Sequence, residues 1–253
     1  MPCGISTRLS RPWMSSLETP AFDLLSIDFE GTCEPGGVKE FGVARFGVSR
    51  LSSIQAHSPE DVMIESENFA NASHRHRKFA FGTSTKVSPE LLPRVVAQQV
   101  GGVRSINEDV TPGHSIDHDF KFMDALGVPI ERFDNFIGIV DTCQLAREIL
   151  GRGMSLKKLL ETLRIPFEPT QLHCAGNDAH YTLRAMLALL YWQSTGKRLD
   201  EAVARTEKIG LLPSVVLRPV QSPQGIEMQK EAAENVEECF DSTLFANEHE
   251  AEA

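Results

Sequence analysis

From Phe22 to Glu30 apolar and polar residues alternate, with Leu25, Ile27 and Phe29 on one set of positions and Ser26, Asp28 and Glu30 on the other. Successive side chains of a strand point to opposite faces, so this pattern predicts a strand from which both acids project together. The turn residues Glu34 to Gly37 and a second strand-like run over 39–48 predict a hairpin. Residues 61–69 read as a third strand. A helix is expected from about Ser88, with Pro89 at its first position and Glu90 in its first turn. Further on, 118–128 has helical character and ends at Gly127, and 135–151 reads as a buried strand running into a helix capped by Asp141 or Thr142. Leu156, Leu159, Leu160 and Leu163 recur at helical spacing, and 176–197 supplies a longer helix with one strongly apolar side. Strands first, then strands alternating with helices, indicate an α/β domain with a mixed sheet.

Composition narrows the setting. At 253 residues and 41% hydrophobic content the chain can bury one substantial core. No run approaches the apolar length of a membrane span, so no membrane partner is expected. Five scattered cysteines without C-x-x-C spacing read as a reduced chain of cytosol or nucleus. Arg8, Arg11 and several serines before the first acid, Glu18, make a mitochondrial presequence the alternative. The net charge of −10 is uneven: nine acids and one base between Glu227 and Ala253 give −8 and leave only −2 for the rest. A near-neutral body with local basic patches can bind a polyanion that the tail would repel. Residues 1–20 are expected to be flexible, 21–197 to form the domain, and 198–253 to be a linker and an acidic, disordered tail able to offer a short amphipathic helix to a protein partner.

The acids on the first strand carry the candidate chemistry. Two neighbouring carboxylates repel and lose hydration when partly buried, so they call for a cation or a shared proton, unless the strand ends at Ile27 and leaves them in solvent. Two further stretches bear on this choice. In GHSIDHDFKFM (113–123), Asp119 lies where a strand gives way to a helix, and Phe122 and Met123 face inward. In HCAGNDAHYTL (173–183), His173 precedes a helix and Asp178 sits in its first turn.

D-x-E on a first strand, an Asp at the head of a later helix and H-x4-D opening a final helix together resemble the DEDDh superfamily of 3′-5′ exonucleases, over about residues 22 to 195. DFEGTCEPG is similar to the first motif of the Eri-type RNA exonucleases, and FAFGTS and LHCAGNDAHYTLRAMLALL are similar to a poorly characterised fungal branch. The resemblance implies a ribonuclease H-like fold with a mixed central sheet flanked by helices. It implies hydrolysis of a single-stranded RNA or DNA 3′ end to 5′-mononucleotides, RNA slightly favoured. By motif, Asp28, Glu30, Asp119 and Asp178 would hold two Mg²⁺ or Mn²⁺ ions, His173 would be general base, and Thr32 would contact the terminal nucleotide. Four hard oxygen donors suit such ions rather than zinc, and a histidine near neutral pKa suits proton abstraction. An inactive adaptor that binds RNA or a protein is the other reading.

Several neighbours have a plainer use. Asp117 could be mistaken for the second-motif ligand, but the register to Phe122 and Met123 favours Asp119. His114, His118, His173 and Cys174 match no common zinc spacing. Asp141 suits a helix cap. Residues 73–78, SHRHRK, are either a solvated loop or a phosphate contact. The stretch before the second motif is polar and contains Pro112, so its strand is expected to be short, displaced or irregular.

Overall fold

In the computed structural model the described residues are 22–34, 36–47, 64–72, 76–101, 108–130, 133 and 136–195. The N-terminal segment, the linker and the acidic tail lie outside them. Among the described residues six strands follow in chain order, β1 (Phe22–Gly31), β2 (Val38–Gly47), β3 (Glu65–Asn71), β4 (Thr85–Val87), β5 (Glu108–Gly113) and β6 (Phe136–Asp141). The same residues hold five α-helices: α1 (Leu92–Gly101), α2 (Asp117–Ala125), α3 (Thr142–Leu150), α4 (Leu156–Leu163) and α5 (Ala175–Thr195). The sheet order is β4-β3-β2-β1-β5-β6. β2 runs antiparallel to both β1 and β3, whereas β5 and β6 continue parallel to β1. This is the α/β, ribonuclease H-like arrangement, a mixed sheet flanked by helices.

The alternation along β1 divides the molecule into two cores. Leu25, Ile27 and Phe29 pack with Phe41, Val43, Val95, Val96, Phe122 and Met123 on the side of α1 and α2. Leu24, Ala44 and Phe46 pack with the apolar stripes of α3, α4 and α5 on the other. Asp28 and Glu30 therefore emerge on the α5 side, beyond the end of that second core. The hairpin forms as its turn residues predict, with a register shift at Glu30/Gly31, where Gly31 adopts φ +130°.

Helix α5 reaches the sheet because β2 offers no side chain at the crossing. A Cβ at Gly42 would fall inside the backbone of Ala175 and Gly176, and one at Gly176 would press on Asn68, Phe79 and the Glu67 carbonyl. Backbone cannot yield as a flexible side chain can. Gly42→Ala is accordingly expected to cost about 1–3 kcal/mol, read as a lower urea midpoint at unchanged slope.

Two expectations are modified. α1 begins at Leu92 rather than near Ser88. The Ser88 carbonyl closes a turn by accepting from the amides of Leu91 and Leu92, at 3.1 and 3.2 Å, but Pro93 has no N–H with which to continue that ladder. The third strand begins at Glu65, later than the pattern suggested. Asp141, not Thr142, caps α3, its Oδ1 accepting from Cys143 N at 2.7 Å and Gln144 N at 3.4 Å.

β5 is short and irregular, as Pro112 requires, yet it is central. Its pairing with β1 covers only Phe22–Leu24 against Glu108–Val110, while its pairing with β6 shifts register at Asp109/Val110 and then continues past Pro112. Proline is tolerated because the β1 ladder has already ended there. The two strands part where the candidate site lies, which leaves the Phe29 amide free of β5.

Candidate active site

Asp28 and Glu30 sit on one face of β1, and the hairpin register places Glu40 of β2 directly opposite Glu30. Residues directly opposed in an antiparallel pair share a face. A third acid therefore joins the first two, and Glu40 is almost fully buried. Asp119 arrives from α2 and its Oδ1 accepts from the Phe29 amide at 3.2 Å, the donor released by the early end of the β1–β5 ladder. Asp117 and His118 are exposed on the same helix, so the inward register belongs to Asp119.

The start of α5 brings the remaining pair. Asp178 Oδ2 accepts from the His173 amide at 3.0 Å, which ties the histidine's turn to the helix. His173 adopts φ +62°, a left-handed backbone that non-glycine residues seldom use, and its side chain is 69% exposed. Its Nδ1 lies 3.6 Å from Glu30 Oε1. Glu30, His173 and Asp178 offer ligand atoms that all lie within 4.8 Å of one another. Asp28 and Asp119 stand outside that triplet but face it electrostatically.

Crowding shows in the protonation equilibria. Burial pushes the Asp28 carboxyl well above the usual carboxylate range, and Asp119, Asp178, Glu30 and Glu40 push it further. Asp119 is also raised well above that range by burial, against the Phe29 amide that favours its charge. Asp178 is raised to about 7, again chiefly by burial. Glu30 is raised by burial, with His173 opposing. Asp28 Oδ2 and Asp178 Oδ1 are sealed from solvent with no hydrogen-bond partner. Unmet buried oxygens are unfavourable unless something cationic or protonated fills the gap, and a set of carboxylate oxygens is the donor type that Mg²⁺ and Mn²⁺ take.

A brace around α5 was not anticipated from the residues alone. Glu40 Oε2 accepts from Ala175 N at 3.1 Å and Asn68 Oδ1 from Gly176 N at 2.8 Å, so two first-turn amides of the helix are satisfied by β2 and β3. Asn177, fully buried, donates to the Lys78 and Gln171 carbonyls and accepts from Ala80 N. His76 Nδ1 donates to Glu40 Oε1 at 3.2 Å, and Arg77 Nη1 donates to the Leu172 carbonyl at 2.6 Å. The described part of the 73–78 run is thus neither a free loop nor remote from the acids. The sequence shows Glu40 as an acid in a strand next to β1, and the register opposite Glu30 turns it inward.

Thr32 is exposed in the hairpin loop, its amide donating to the Gly37 carbonyl at 3.0 Å, and no contact joins it to the carboxylates among the described residues. His114 bonds Thr142 Oγ1 at 2.8 Å. Cys174 is buried, with its thiol pushed far up by burial and by Glu40. His114 and His118 do not gather with His173 and Cys174 into a metal-binding group among the described residues.

Over 94 residues the chain is 34% identical to the uncharacterized protein YDR514C of Saccharomyces cerevisiae, an overlap that covers 30% of this chain and spans 19% of that protein. Among solved structures, the nuclease domain of 3′hExo, a DEDDh family member bound to rAMP, aligns with a TM-score of 0.42 at 15% identity, covering 69% of this chain and 94% of that one. The family profile described as DEDDh, DNA polymerase III subunit epsilon-like, C-terminal domain, matches residues 23–189. With that match over residues 23–189, the chain belongs to the DEDDh exonuclease family.

Proposed function

We propose that this protein is a metal-dependent 3′-5′ exonuclease that hydrolyses single-stranded nucleic acid, RNA slightly ahead of DNA, to 5′-mononucleotides. The observation that carries this reading is the convergence on Asp28 of Asp119, Asp178, Glu30 and Glu40, with sealed, unpartnered oxygens on Asp28 and Asp178. An adaptor that only displays a surface gains nothing from so unfavourable a cluster, whereas a site for divalent cations is built from one. Asp28, Glu30, Asp119 and Asp178 are the residues that would hold two Mg²⁺ or Mn²⁺ ions, which when bound activate water and stabilise the leaving 3′ oxygen.

The chain's own residues supply the rest. His173, exposed beside Glu30, accepts the proton of the attacking water, and Glu30 steadies the resulting imidazolium. The Asp178 bond to the His173 amide holds that turn while leaving the imidazole able to move.

The test is a trimming assay on 5′-labelled single-stranded RNA and DNA with Mg²⁺ or Mn²⁺. We expect a ladder shortening from the 3′ end, 5′-mononucleotide product, arrest by EDTA, and a His173→Ala loss of about 10²–10⁴-fold in kcat. No shortening of either polymer with either ion would sink the reading.

A further inference from the structure

We propose that Arg77 is a substrate-binding residue that grips a backbone phosphate of the nucleic acid at the rim of the carboxylate cluster. This rests on the nuclease reading above and adds a residue to it.

Arg77 is held in place from both sides. His76 is fastened to Glu40, and the Lys78 carbonyl accepts from the buried Asn177 amide at 3.0 Å. Its own guanidinium donates to the carbonyl of Leu172, the residue before His173. A cation is thereby fixed at the entrance to the site, although Arg77 itself is exposed. Guanidinium carries five donors, and among the described residues one is engaged.

It favours the charged form of Glu30 and Asp178 from a distance rather than by direct pairing; among the described residues it forms no ion pair with either. An arginine whose task was to quiet the cluster would pair with it directly. Instead, among the described residues, most of its donors remain available beside a site whose acids repel phosphate. Arginine's planar fork matches two phosphate oxygens at once, and a cation so placed draws the polyanion toward a centre it would otherwise avoid. Lys78, exposed next to it, extends the positive rim.

The competing role is a brace for the Leu172 carbonyl alone, and two variants separate them. Arg77→Gln keeps a donor for that carbonyl and removes the charge, whereas Arg77→Lys keeps the charge and loses the fork. Binding of a fluorescent single-stranded RNA is measured by anisotropy in Ca²⁺ across a salt series, with kcat and KM measured in Mg²⁺ and thermal midpoints alongside. We expect Arg77→Gln to weaken binding about ten-fold, to raise KM more than it lowers kcat, and to reduce the salt slope by about 0.7 at unchanged midpoint. Arg77→Lys should retain the slope with intermediate affinity. Unchanged affinity and slope in Arg77→Gln overturns the proposal, as does equal loss in both variants with a lowered midpoint and an unchanged slope. If the unaltered protein binds RNA without cleaving it, a weakened Arg77→Gln still supports the phosphate contact while the nuclease reading fails. If it neither binds nor cleaves, both fall.

Discussion

Asp28→Asn is expected to make the metal-free protein more stable while it abolishes hydrolysis. Asparagine matches aspartate in shape but carries no charge, so at pH 8 it removes the group on which Asp119, Asp178, Glu30 and Glu40 all press. Relief of that repulsion and of the desolvation of a buried carboxylate should raise stability by about 1–3 kcal/mol, or roughly 2–4 °C for each kcal/mol in a chain of this size. The same change removes the central metal-facing oxygen, and kcat should fall by at least about 10³-fold, several kcal/mol of transition-state stabilisation. Differential scanning fluorimetry with EDTA and the trimming assay read the two effects independently. A variant that is less stable than the parent without metal would show that the acids are not in conflict, and the case for a cation site would lose its physical basis.

The second large effect is on pH. A carboxyl whose folded-state pKa lies above its unfolded value contributes stability that is fully present below the unfolded value and lost as pH rises through the folded one. For Asp178 the window runs from the ordinary value of 3.8 to about 7, and Asp28 and Asp119 shift in the same direction. Asp178 should therefore make the metal-free protein lose stability between about pH 4 and pH 7, at up to about 1.4 kcal/mol per pH unit, and Asp28 and Asp119 act in the same sense. Divalent ions bind the deprotonated acids, so they act in the opposite sense. The rise in thermal midpoint on adding Mg²⁺ or Mn²⁺ should be small at pH 6 and grow toward pH 8. A metal-induced shift that is flat or falls over that range would contradict the assignment, and Asp28→Asn should show little shift at any pH.

Both effects arise from a cluster whose members differ in how readily the sequence discloses them. The facing of Asp28 and Glu30 follows from strand period, and the inward turn of Asp119 from its helical spacing to Phe122 and Met123. Asp178 and His173 could be placed at a helix start, but only the resemblance of the combined motifs marked them as site residues. Glu40 was not singled out, because an acid in an alternating strand ordinarily faces solvent; only the hairpin register, Glu30 against Glu40, turns it inward. Arg77 was left open between solvent and phosphate, since nothing local says that a loop after β3 will pass the head of a helix almost a hundred residues later. Pro112 announced an irregular strand, but not that the gap it permits would free the Phe29 amide for Asp119.

By itself the sequence determined which way each side chain points along its own strand or helix, because those periods are set by backbone geometry over a few residues. It also determined the apolar face of β1 formed by Leu25, Ile27 and Phe29. Tertiary structure alone decided which groups meet: the register of β1 on β2, the early parting of β1 from β5, and the seating of α5 on Gly42 bring residues from 28 to 178 into one cleft. Such meetings depend on where whole elements dock, and that is settled by the packing of surfaces contributed by distant parts of the chain.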